Sequence, residues 1–183
     1  MRAAKVLAKF NKKAKEWLAD LEKVEAEKIQ LRPTEKSWSF AEMYDHVMKV
    51  ARTYQIPNMK KSITESAKRK KRKNFYGYVV FNTSYRKNAH MKMEEFPKHL
   101  IDLFTPVVRS KEDLLKDFKK FIQEVNGLEE ILNKSTSKDK HHHPLFGDIN
   151  TKEWFALIEQ HIWQHDKQKR KLKEFLKLEQ VNS

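Results

Sequence analysis

The chain contains no cysteine in its 183 residues, which excludes a disulfide framework and any thiolate metal site. Thiol chemistry would therefore need a thiol brought in as a substrate, and metal ligands would have to be histidine or carboxylate. Glycine and proline are also scarce, at three and five residues, which argues for long helices and against a sheet protein with many tight turns. No stretch approaches the roughly 18 consecutive apolar residues of a membrane-spanning helix. The opening Met1-Arg2-Ala3-Ala4-Lys5 leads into an amphipathic pattern and not a signal-peptide core. These absences lead to the expectation of a cytoplasmic protein with no membrane partner. Apolar material is limited, with 35% charged residues and a mean hydropathy of −0.85. A chain of this length still suffices for one core, and a single domain over residues 1–183 is expected.

What is present is helical periodicity. Leu7, Phe10, Ala14, Trp17, Leu21 and Val24 recur in steps of three and four and predict a first helix, ending by the Leu31-Arg32-Pro33 break. Ser39 and Glu42 stand in capping-box positions. The stripe that follows, Phe40, Met43, Val47, Val50 and Tyr54, predicts a second helix stopped at Pro57. His46 falls on the same side as Met43, Val47 and Val50. A third helix follows Ser110, with Asp113 in the box position and a stripe of Leu114, Phe118, Phe121, Ile122, Val125, Leu128 and Leu132. A fourth starts at Asn150 with Glu153 three residues on, and runs to about Lys177. Between the second and third helices lie about fifty residues, enough for a crossover along a bundle. Within them Tyr76-Gly77-Tyr78-Val79-Val80-Phe81 fits either a short strand or a buried helical turn, and Glu95 to Thr105 reads as a short helix stopped by Pro106. Asn133 to Lys140 reads as a loop. The fold class is all-α, a four-helix bundle with a long connection between helices two and three.

The fourth helix carries an anomaly. Its apolar stripe of Trp154, Leu157, Ile158, Ile162 and Leu172 is interrupted on the same face by His161, His165 and Gln168. A buried polar group without a partner is costly. Two imidazoles at i and i+4 can point at one atom, so a metal ion would supply that partner.

The order of these features resembles the DinB-like (YfiT-like) four-helix-bundle superfamily. Local wording that carries the likeness is Arg32-Pro33, Trp38-Ser39-Phe40-Ala41-Glu42 with His46 following, His143-Pro144-Leu145-Phe146-Gly147, Glu153-Trp154, and His161-Ile162-Trp163-Gln164-His165-Asp166-Lys167-Gln168. The resemblance implies a divalent metal held by one histidine from helix two and two from helix four: His46, His161 and His165. It also implies a metal-dependent enzyme acting on a small molecule, either a hydrolase activating water or a transferase using a low-molecular-weight thiol. Family precedent points to zinc or nickel, whereas imidazole ligation alone does not choose the metal. Glu42 and Asp166 are the nearest carboxylates in sequence to these histidines and the candidates to orient them.

Other features carry plainer readings. His141, His142 and His143 form a histidine-rich tract, read as a loop and a turn into the fourth helix and left out of the site. His90 and His99 read as surface or structural residues. Trp38, Trp154 and Trp163 either stack on a substrate or, as is commoner at helical spacing, pack in the core. The net charge is +14, and Lys60 to Lys73 holds eight cations against one glutamate. That segment, with Phe75, Tyr76 and Tyr78 beyond it, supports an alternative: a non-enzymatic module that contacts nucleic acid or another polyanion. No recognised nucleic-acid-binding motif accompanies the run, so this stands second. The same cations can also draw an anionic substrate toward a metal. A homodimer through an exposed helix face is the expected assembly.

Overall fold

A computed structural model describes residues 3–65, 72–82 and 96–177. Helix α1 (Ala3–Lys23) buries Val6, Leu7, Phe10, Ala14, Trp17 and Leu21, the predicted stripe. It ends earlier than the sequence suggests. Residues 25–31 form turns instead, in which Leu31 N–H donates to the carbonyl of Lys28 at 3.0 Å. The Ile29 carbonyl is thereby free to accept the amide of Ala41 at 3.0 Å, satisfying a donor that the first turn of the next helix leaves open.

Helix α2 (Phe40–Val50) has the expected capping box. Ser39 Oγ accepts the Glu42 amide at 3.2 Å, and a Glu42 carboxylate oxygen accepts the Ser39 amide at 2.9 Å. Pro57 does not stop this helix. A π-helical turn, Ala51–Gln55, widens the spiral, and the Ile56 N–H donates five residues back to Ala51. Helix α3 (Ile56–Thr64) then restarts with Pro57 in its first turn, where a missing N–H is harmless.

Tyr76–Phe81 is helical, inside α4 (Phe75–Asn82). Helix α5 (Lys98–Phe104) ends just before Pro106 as expected. Helix α6 (Lys111–Asn126) begins on Ser110, whose side chain accepts the Asp113 amide at 3.1 Å. Leu132 belongs to a separate turn, α7 (Glu129–Lys134), after Gly127. His141 to His143 are not in a loop. They lie in β1 (Lys140–His143), which pairs antiparallel with β2 (Gly147–Asn150), His143 opposite Gly147. Gly147 makes the turn at φ +72° and also bridges to Lys73. Helix α8 (Thr151–Phe175) starts in a second capping box, Asn150 with Glu153.

Helices α1, α6, α2 and α8 contact one another as a closed ring: α1 on α6, α6 on α2, α2 on α8 and α8 on α1. The predominantly helical content agrees with the all-α bundle. Phe10, Trp17, Tyr44, Phe118 and Phe121 are fully buried between them. Helix α4 docks on the hairpin through Gly77, because a methyl group there would overlap the Phe146 carbonyl. No helix among the described residues is long and apolar enough to cross a membrane.

Candidate metal centre

The capping box fixes the start of α2, and its stripe turns Met43, Val47 and Val50 into the core together with His46, which is 3% exposed. Helix α8 lies alongside and contributes His161, 8% exposed, and His165, half-buried one turn later. The three rings converge through one type of atom. His161 Nε2 lies 3.2 Å from His46 Nε2 and 3.1 Å from His165 Nε2. All three candidate ligand atoms fall within 4.8 Å of one another. Among the described residues no other group of three histidine or acidic side chains meets so closely.

The outer nitrogens determine what the inner ones can do. His46 Nδ1 is 2.8 Å from the Phe104 carbonyl, which only accepts, so Nδ1 carries the proton and Nε2 the lone pair. His165 Nδ1 is 2.8 Å from the side-chain oxygen of Gln168, with the same consequence. Two lone pairs therefore face His161 Nε2. A proton there can serve one of them at a time. A cation can serve all three, and tetrahedral zinc at about 2.0–2.1 Å from each nitrogen sets them roughly 3.3 Å apart. The two separations from His161 Nε2, 3.2 and 3.1 Å, fit, and the third lies within 4.8 Å. His161 Nδ1 is buried without a hydrogen-bond partner among the described residues.

Burial holds all three imidazoles neutral at pH 7. It lowers His46 to about 3, with the neighbouring His165 and Lys49 adding to the effect and the Phe104 carbonyl opposing it. It drives His161 well below the ordinary value, helped by His165 and His46. It also lowers His165, against the bond to Gln168. Neutral imidazole is the ligating form.

The structure thus brings together His46, His161 and His165, and replaces the carboxylates expected to orient them. Glu42 is drawn back to the Ser39 amide and paired with Arg32, whose Nε is 2.9 Å away. Asp166 accepts from Trp17 Nε1 at 2.8 Å and pairs with Lys13 at 2.8 Å. Adjacent helical residues point about 100° apart, so Asp166 faces α1 while Gln168, three residues from His165, shares its face. Gln168 was readable from that spacing. A backbone carbonyl such as that of Phe104 leaves no side-chain signal.

The tryptophans separate. Trp154 is core, Trp163 is 38% exposed, and Trp38 is a half-buried wall of the site. Its ring centroid lies 4.5 Å from that of His46 and 6.3 Å from that of His165, nearly parallel to the latter at 21°. The hairpin histidines stay outside. His142 pairs with Asp148 at 3.0 Å, and His143 stacks on Phe146 at 4.5 Å. His99 is exposed, and His90 lies outside the described residues. Residues 66–71 of the basic run also lie outside them. Lys73 grips the Glu153 carboxylate, which gives it a structural task.

A sequence model described as the DinB superfamily matches residues 9–168, a span that includes all three histidines. The superfamily is typically metal-binding. No curated protein and no solved structure matches the chain.

Proposed function

The chain belongs to the DinB superfamily, and on that premise we propose that His46, His161 and His165 hold one divalent metal ion, zinc or nickel, in an enzyme acting on a small molecule. The reaction is hydrolysis or group transfer with a thiol cosubstrate. The supporting observation is the convergence of the His46 and His165 Nε2 atoms on His161 Nε2, at 3.2 and 3.1 Å, in three neutral imidazoles. Three protein ligands leave a coordination position for water or substrate, as catalytic sites do. When bound, the ion supplies Lewis acidity that ionises water or a thiol near neutral pH.

The protein's own contribution is positional. The Phe104 carbonyl and Gln168 orient the rings of His46 and His165 before anything binds. Trp38 walls one side and limits water around His46. Because the chain lacks cysteine, a reacting thiol arrives as cosubstrate.

Elemental analysis tests the reading, on untagged protein purified without nickel resin or chelator, beside His46→Ala and His161→Ala. About one ion per chain is expected for the parent, from its single three-ligand site. Both variants should lose it while far-UV circular dichroism shows retained helix. Parent protein that stays metal-free after incubation with zinc, nickel and manganese would overturn the reading.

A second reading has one observation in its favour. Phe75 is 83% and Tyr78 57% exposed on α4, directly after the basic run. Cations followed by unburied aromatic rings suit a single-stranded polyanion with π-faces to stack.

A further inference from the structure

We propose that Gln168 is the positioning residue that makes His165 ready for a metal, a proposal that rests on the three-histidine reading above. A neutral imidazole carries one N–H, and whichever nitrogen bears it cannot ligate. For His165 the choice is made by its Nδ1 contact at 2.8 Å to the Gln168 side-chain oxygen. With oxygen presented, Nδ1 holds the proton and the Nε2 lone pair faces His161. Turned about its last torsion, the same amide would donate to Nδ1, and His165 would direct an N–H into the centre.

The three rings differ in this respect. His46 faces a backbone carbonyl, which cannot reverse its role. His161 Nδ1 meets no partner among the described residues. Only His165 is held by a side chain that can either accept or donate, so Gln168 is the adjustable point of the site. The carboxylate adjacent to His165, Asp166, is committed to Trp17 and Lys13 on α1 and cannot substitute. Gln168 sits three residues along α8, where side chains lean back toward the preceding turn and meet i−3 neighbours.

A substitution series separates hydrogen-bond direction from packing. Gln168→Glu only accepts when ionised, Gln168→Met does neither at similar length, and Gln168→Lys only donates. Zinc affinity, read by competition with a chromophoric chelator, should be kept or raised in Gln168→Glu. It should fall about 10–100-fold in Gln168→Met, the usual cost of losing a group that orients a ligand, and further in Gln168→Lys. Charge alone would also rank Glu above Lys, so the deciding readout uses the metal-free protein. Nitrogen-15 NMR of the His165 ring should show the Nδ1–H form in the parent and in Gln168→Glu. A shift toward the Nε2–H form is expected in Gln168→Lys.

Parent protein that takes up no zinc defeats the three-histidine reading, and this proposal with it. Parent protein that binds zinc, with Gln168→Met within about twofold of it and one His165 tautomer throughout the series, overturns the role of Gln168 alone.

Discussion

His143 and His161 are both buried imidazoles, and the difference between them separates a structural histidine from a candidate ligand. His143 stacks on Phe146, and its Nδ1 accepts the Leu145 amide at 3.2 Å. His161 has an unpartnered outer nitrogen and two other imidazoles at its inner one. Burial lowers His143 from 6.5 to about 3, aided by His142. The unfolded chain therefore takes up a proton on this ring at pH values where the native protein does not. Stability from the neutral ring is complete above the unfolded value of 6.5 and is lost as pH falls toward 3. Between the two values the loss is on the order of 1 kcal/mol per pH unit for His143. The lowered His46, His161 and His165 act in the same direction in metal-free protein. Urea unfolding of metal-free protein should accordingly weaken on going from neutral to mildly acidic pH, and His143→Phe should show a shallower dependence. Equal slopes in the two proteins would mean that His143 is already protonated in the native state.

At the level of elements, both helices that carry the three histidines start with the same device. Ser39 with Glu42 opens α2, Asn150 with Glu153 opens α8, and each glutamate is also gripped by an upstream cation, Arg32 or Lys73. Ser39→Ala or Asn150→Ala should each lower unfolding stability by about 0.5–2 kcal/mol, and Ser39→Gly by only a few tenths. A Ser39→Gly cost as large as that of Ser39→Ala would show that Ser39 matters for something other than its cap. Such caps act over three residues, which is why the sequence announced them, along with the apolar stripes of α1, α2, α6 and α8. The passage through Pro57 was not legible, because the π-turn is held from a distance. Gln55 in that turn reaches the Leu157 carbonyl at 3.4 Å, and Tyr54 packs on Phe104 and Trp154. The hairpin was hidden for a similar reason, since its strands are completed by the bridge to Lys73 and the docking of α4. Within the site, the three histidines were readable from spacing and family likeness. Their actual orienting groups depend on where α5 ends and on which face of α8 Gln168 occupies.

For the molecule as a whole, the distribution of charge decides how far the second reading can be pressed. The chain has 39 Lys and Arg against 25 Asp and Glu, and several carboxylates are spent tying helices together. Asp20 holds Lys169 at 2.6 Å and Lys173 at 2.7 Å, while Asp117 holds Arg52 at 2.9 Å and Arg109 at 2.6 Å. The excess of cations is thus left for solvent or a partner, and some polyanion affinity at low salt is expected from charge alone. Such binding falls with log salt at a slope of about −0.7 per phosphate neutralised on a single strand. It says nothing about function unless the aromatic rings take part. The informative comparison is Phe75→Ala with Tyr78→Ala against the parent, on a single-stranded oligonucleotide at near-physiological salt. Stacking is worth about 1–3 kcal/mol per base, so a specific interface loses affinity in that double variant, whereas a charge-only one does not change. Neutralising Lys68, Arg69, Lys70, Lys71 and Arg72 to Gln, with Lys73 kept for its pair with Glu153, should abolish binding in either case. Metal content should be untouched in the Phe75→Ala with Tyr78→Ala variant, because both rings lie exposed on α4. An oligonucleotide affinity indifferent to the rings, beside unchanged metal content, would count against the second reading.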